Sequence, residues 1–243
     1  MGESSYKTFI LSGQSNMAGH GRVPDLPESL RFIPENVELF IAGQTYPFFD
    51  WGRFGPELTF AHHIANAWPD ERILIIKFAV GASSLLAWAP QWSPAQAQIT
   101  DNADMGALYR KLLSVLQAGI QGKKTELAGL VWMQGERDAK FLQAADNYAA
   151  NFAELITHLR NDLNKSDLPI IYGQINPPPD RFPFVEMVRQ AQEQYQKTDP
   201  TCVMIPTDDL GKCEDGLHYN SAGHLELGHR FARAFTNARE HYP

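Results

Sequence analysis

Four short stretches hold the residue types of an acyl-transfer site. Ser15 lies in "GQSNMAG" (13–19), immediately after the apolar run "YKTFILS" (6–12). Gly81 opens "GASSL" (81–85), Gln134 opens "QGERD" (134–138), and Asp215 stands three residues before His218 in "DGLH". A serine hydroxyl is a weak nucleophile until a neighbouring imidazole takes its proton. The imidazole in turn needs a carboxylate to fix its tautomer and to stabilise the imidazolium. The D-x-x-H spacing lets one turn bring Asp215 and His218 together, and Gly216 lets that turn bend tightly. The negative oxygen of a tetrahedral intermediate needs preorganised donors, and the N–H of Ser15, the N–H of Gly81 and the side-chain amide of Gln134 are candidates. Each stretch alone is weak. "GQSNM" is not the G-x-S-x-G elbow, because Met17 occupies its last position, and both D-x-x-H and serine beside glycine are common in turns.

Joint placement gives these stretches their weight. Apolar runs at 6–12, 37–41, 72–80, 127–133, 168–175 and 202–206 read as strands buried on both faces. Helical patterns fall between them at 56–68, 105–120, 144–164, 184–197 and 221–240, with Pro56 suited to a first turn and Asn220 to an N-cap. Strand and helix in alternation predict an α/β fold: a parallel central sheet in a three-layer α/β/α sandwich, expected as one domain over 1–243. In such sheets ligands bind beyond the carboxyl ends of the strands. Ser15, Gly81, Gln134 and the Asp215–His218 turn all come after strands, so all are expected on one rim.

Composition narrows the function classes. The 243 residues carry 21 Lys and Arg against 28 Asp and Glu, a formal charge of −7, which argues against a nucleic-acid binder. No signal peptide or apolar run of membrane-spanning length is visible, which predicts a cytoplasmic protein that does not engage membranes. The two cysteines, Cys202 and Cys213, form no disulfide framework, and no metal-ligand spacing occurs.

At these same residues the sequence resembles a known group. "GQSNMAG", "GPELTFA" (55–61), "VWMQGERDA" (131–139) and "DGLHYNSAGHLELGHR" (215–230) are similar, in order, to the signature blocks of SGNH-type hydrolases of carbohydrate esterase family 6 and the sialate O-acetylesterase-like domains. The resemblance implies a flavodoxin-like sandwich and a cofactor-free esterase that takes acetyl groups off sugars. It implies Ser15 as nucleophile, His218 as base, and Gly81 and Gln134 beside the Ser15 amide in the oxyanion hole. For the triad acid it offers both Asp215 and Glu136; the short D-x-x-H span favours Asp215.

The substrate side is less specific. Gln14 beside the nucleophile, Trp51 in "TYPFFDWGRFG" (45–55), Trp88 and Trp92 in "LLAWAPQWSP" (85–94) and Arg137 are candidates to line a sugar groove; equally, the tryptophans suit packing under long loops and Arg137 suits a surface charge. The sequence leaves two other readings open: a broader SGNH lipase or thioesterase, and a catalytically idle carbohydrate-binding domain. A flavodoxin-like nucleotide binder lacks support, since neither G-x-G-x-x-G nor a P-loop lysine comes after the first strand.

Overall fold

The structure, a computed structural model, describes residues 5–41 and 52–241, with side chains through residue 237. Its strands in chain order are β1 (Tyr6–Gly13), β2 (Gly21–Arg22), β3 (Val37–Ile41), β4 (Arg53–Phe54), β5 (Arg72–Ala79), β6 (Thr125–Met133), β7 (Ile170–Gly173) and β8 (Cys202–Ile205). Six of them form one sheet in the order β3-β5-β1-β6-β7-β8, with every pairing parallel. These six match the apolar runs to within two residues. The two-residue β2 and β4 pair antiparallel as a separate ribbon that the sequence pattern does not reveal.

The helices are α1 (Ser15–Ala18), α2 (Glu57–Ala67), α3 (Pro94–Gln98), α4 (Leu108–Ile120), α5 (Leu142–Asp146), α6 (Tyr148–Asp162), α7 (Val185–Thr198) and α8 (Ser221–His241). At the start of α8 the Asn220 Oδ1 accepts the Gly223 N–H at 2.9 Å, the N-cap that its position predicts. The helix expected over 144–164 is instead two. Asn147, with φ −96° and ψ 5°, breaks it, and its Nδ2 donates to the Gln143 carbonyl at 2.8 Å. The break carries the Tyr148 ring into the core, where its hydroxyl donates to the Gln134 carbonyl at 2.9 Å.

Strand register sorts the core into two layers. Phe9 lies beside Ile75, and its ring packs edge-on to Phe60 of α2 and Phe235 of α8 at 5.2 and 5.3 Å. One residue along, the opposite face presents Ile76, packed closely on Gly119 of α4, and Trp132, whose ring meets Phe152 of α6 at 6.3 Å. The expected sandwich is therefore present, with helices on both faces of a parallel sheet. Burial of continuous Ile, Leu and Phe runs from both sides is the main stabilising contribution.

Topology places the rim. The chain begins in the middle of the sheet at β1, moves to one edge, returns at β5, and crosses β1 to build the other half. Such a reversal opens a crevice beyond the strand ends. Ser15 stands at that reversal, one residue past the N-cap Gln14.

Candidate active site

The turn that carries Ser15 depends on two glycines. Gly13 has φ +142°, and a Cβ there would run into the Met133 carbonyl of β6. Gly19 has φ +107°, and a Cβ there would strike the backbone at Phe54 and Gly55. Beneath the turn, Lys77 of β5 forms a buried ion pair with Glu57 of α2. The Lys77 Nζ also donates to the Ala18 carbonyl at 2.8 Å, while Glu57 accepts the Gly55 N–H at 2.8 Å. The acid of the "GPE" stretch thus fixes the end of α1 against β4.

Ser15, His218 and Asp215 meet in one hydrogen-bonded line. Ser15 Oγ lies 3.1 Å from His218 Nε2, and His218 Nδ1 lies 2.6 Å from Asp215 Oδ2. The other Asp215 oxygen accepts the N–H groups of Leu217 and His218 at 2.9 and 3.0 Å. Partial burial opposes charge on Asp215, but these hydrogen bonds from the His218 and Leu217 N–H groups and the imidazole outweigh it and hold the carboxyl down at about 2. An ionised Asp215 sets the Nδ1–H tautomer, which leaves Nε2 free to accept the serine proton.

Two further histidines surround this line. The His20 ring stacks on His218 with centroids 3.9 Å apart and planes 22° from parallel. Burial, then the nearby His218 and Arg53, bring His20 down to about 4. His224, fully buried, accepts the His20 N–H on Nε2 at 2.9 Å, and burial brings it down to about 3. Both rings are thus neutral near neutral pH.

Gly81 borders Ser15: a Cβ built on it would sit 3.7 Å from Ser15 Cβ. Neither its N–H nor that of Ser15 donates a hydrogen bond among the described residues, so both are available to an incoming oxygen. The turn behind Gly81 is pinned from several sides. Ala82 has a left-handed φ of +57°, and its carbonyl accepts Asn102 Nδ2 at 3.2 Å. Ser84 N–H donates to Asn102 Oδ1 at 2.8 Å, and Leu85 N–H to Asp138 Oδ1 at 3.1 Å.

Gln134 has a different part from the one its sequence position suggests. It is fully buried, and Nε2 donates both to the Ser83 carbonyl, at 2.9 Å, and to Asp138 Oδ2. With both amide hydrogens engaged, it fixes the 81–85 turn and has none to offer an oxyanion. Its partner Asp138 carries a pH consequence. Burial, opposed by the hydrogen bonds from Gln134 and Leu85, raises its carboxyl from 3.8 to about 7. Between about pH 4 and about pH 7 the folded state therefore binds a proton there that the unfolded chain does not, so this group's contribution to stability falls as pH rises across that window. Asp138→Asn should flatten that slope in urea-unfolding free energies measured across the window. An unchanged slope would show that Asp138 is ionised throughout.

Glu136 does not reach the imidazole. It is 2% exposed, and its Oε1 accepts Asn16 Nδ2 at 2.9 Å while Oε2 has no hydrogen-bond partner among the described residues. Burial pushes its carboxyl up, against hydrogen bonds from the main chain and Asn16.

The expected groove residues mostly serve other ends. Trp51 lies outside the described residues. Trp88 is wholly buried, its Nε1 donating to Ser83 Oγ at 2.8 Å and its ring edge-on to Phe78 and Trp132 at 5.6 and 5.3 Å. It offers no face to a sugar, because the loop folds it under the Gly81 turn. Trp88→Ala should therefore cost about 3–5 kcal/mol of unfolding free energy, read from denaturant titration. Arg137 is likewise engaged, with Nε donating to the Thr100 carbonyl at 2.8 Å and Nη2 to Asp101 at 3.2 Å. Gln14 is buried, and its Oε1 accepts the Gly135 N–H at 3.4 Å, tying the turn that carries Ser15 to the end of β6. Sequence reasoning missed Asn16, His20 and His224. Asn16 lay in plain view in "GQSNM", but nothing in the sequence says that the turn around residue 218 closes onto it.

A parallel sheet with helices on both faces and a serine–histidine pair on its rim is the architecture of the SGNH-type hydrolases. Residues 5–237 match the family of carbohydrate esterases described as sialic acid-specific acetylesterase, and the chain belongs to that family. An Arabidopsis thaliana protein named "Probable carbohydrate esterase" is 26% identical over 256 residues, spanning 94% of this chain and 90% of that protein. Among solved structures, an Arabidopsis thaliana protein superposes with a TM-score of 0.78 at 24% identity, covering 96% of this chain and 98% of its own. NanS gives a TM-score of 0.72 at 16% identity and 99% coverage of both chains. A carbohydrate acetylesterase from Xanthomonas citri gives 0.70 at 20% identity, covering 94% of this chain and 55% of its own. No helix among the described residues is long and apolar enough to cross a membrane.

Proposed function

We propose that the protein is a serine esterase that removes O-acetyl groups from carbohydrates through an acyl-enzyme. The observation that carries this reading is the Ser15–His218–Asp215 line, with contacts of 3.1 and 2.6 Å. Ser15 Oγ attacks the acetyl carbonyl carbon as His218 Nε2 takes its proton, and Asp215 stabilises the imidazolium. The N–H groups of Ser15 and Gly81 receive the developing oxyanion. His218 then returns the proton to the departing sugar oxygen, leaving acetyl-Ser15. Water, deprotonated by the same imidazole, releases acetate. Gln134 and Asp138 act at one remove, by holding the turn that presents Gly81.

The test is acyl preference. Purified protein should release acetate from O-acetylated sugars, and its kcat/KM on aryl esters should fall from acetyl to octanoyl. A rise toward longer chains would make it a lipase or thioesterase of the same fold. Inactivity on every ester would leave a carbohydrate-binding domain.

A further inference from the structure

Asn16 sits directly after the nucleophile, is 1% exposed, and makes three hydrogen bonds. Its Oδ1 accepts the Tyr219 N–H at 3.1 Å. Its Nδ2 donates to the Leu217 carbonyl at 3.3 Å and to Glu136 Oε1 at 2.9 Å. Leu217 and Tyr219 are the two neighbours of His218. One side chain, attached beside Ser15, therefore grips the backbone on both sides of the imidazole that Ser15 must reach, across more than 200 residues of sequence.

We propose that Asn16, seated on Glu136, is a positioning residue that sets the Ser15–His218 distance for the reaction. The proposal rests on the nucleophile and base roles given above. An amide is required at this place. The Tyr219 N–H needs an acceptor, whereas the Leu217 carbonyl and Glu136 Oε1 each need a donor, and a carboxamide supplies one acceptor and two donors from one planar group. Glu136 fixes which way that amide faces, since its Oε1 claims one Nδ2 hydrogen and thereby directs Oδ1 at Tyr219. The Oε2 atom, without a hydrogen-bond partner among the described residues, agrees with this role, because the carboxyl makes its hydrogen bond to Asn16 and none to the His218 ring. The buried acid of "QGE" thus bears on the imidazole through Asn16 and the backbone, beside its longer-range attraction to His218.

The clamp touches no substrate, so it should show in turnover and not in binding. Asn16→Ala should lower kcat for p-nitrophenyl acetate about 100-fold, as an ångström-scale misplacement of reacting groups does, with KM changed by less than about twofold. The rate at which a fluorophosphonate labels Ser15 should fall in parallel. Asn16→Asp, which keeps the acceptor but loses both donors, should lose at least as much. A second pair of variants reads the same device if the Asn16 variants fail to fold. Glu136→Gln keeps an acceptor for Asn16 and should fall less than about threefold, whereas Glu136→Ala should fall about tenfold in kcat at constant KM. Asn16→Ala with wild-type kcat and labelling rate, or equal kcat in the two Glu136 variants, would overturn the clamp. Ser15→Ala run alongside separates the cases: if it is inactive while Asn16→Ala is fully active, only the clamp fails, and if it is active, the nucleophile assignment itself fails.

Discussion

Ser15→Ala is expected to lower kcat for hydrolysis of p-nitrophenyl acetate by about 10⁴-fold or more while leaving the fold intact. The fold should survive because, among the described residues, the Ser15 hydroxyl hydrogen-bonds only to His218 Nε2, an atom in a partly open site, and Ser15→Ala removes one oxygen without opening the core. The chemistry should not survive, since without Oγ there is no acyl-enzyme and water must attack the ester directly. The Ser15 and Gly81 N–H groups persist in the variant, so a residual rate above that of free solution is expected. The measurement needs wild type and variant purified identically, with circular dichroism to confirm folding. Equal activity in the two proteins would remove Ser15 from the chemistry, whereas an inactive wild type would bring the binding-domain reading forward.

Asp215→Asn should cost about 10⁴-fold in kcat, and Glu136→Gln less than about threefold. The large effect stems from the tautomer. An asparagine whose Nδ2 faces His218 Nδ1 donates where the aspartate accepted, so the ring proton moves to Nε2 and points at Ser15 Oγ. The imidazole then has no lone pair for the serine proton. The turn itself should hold, because the asparagine Oδ1 still accepts the Leu217 and His218 N–H groups that Asp215 accepts at 2.9 and 3.0 Å. The small effect stems from distance and partners: Glu136 bonds Asn16 and not the ring. Side-by-side kcat values decide it, and a larger loss in Glu136→Gln would reverse the two acids.

The fold was readable because its strands are buried on both faces, and continuous Ile, Leu, Val and Phe runs have few other uses. The rim was readable for the same reason: once the strands are placed, the residues at their carboxyl ends are placed with them. Relations between those endings did not show. Gln134 and Gly81 both lie just past strands, but that the Gln134 amide turns toward Ser83 and Asp138 depends on how two loops pack. Trp88 lies in an aromatic loop that reads equally well as a sugar platform or a plug, and only the fit of its Nε1 to Ser83 and of its ring to Phe78 decides for the plug. The break at Asn147 escaped because alanine and asparagine around it continue a helical pattern, and the competing force is the burial of Tyr148. Asn16 and His20 could be read as turn residues, since a contact to residue 217, 218 or 219 leaves no trace in local spacing.

The sheet order has a further meaning during synthesis. Ser15 lies two residues past β1, yet β1 sits at the centre of the sheet, between β5 and β6, which follow it by some 60 and 120 residues. Its imidazole and carboxylate come later still, just ahead of α8, the last helix described. Until the turn at 215–218 is made, a nascent chain carries the Ser15 hydroxyl without the imidazole and carboxylate that line up with it in the folded protein. The central strand cannot be covered until both neighbours exist, and such distant pairings form slowly. The site cannot assemble before the turn at 215–218 docks, and a truncated product lacking α8 and that turn has a hydroxyl with no imidazole beside it. Chains that stop short of residue 215 are expected to be inert, because the turn that holds Asp215 and His218 comes some 200 residues after Ser15.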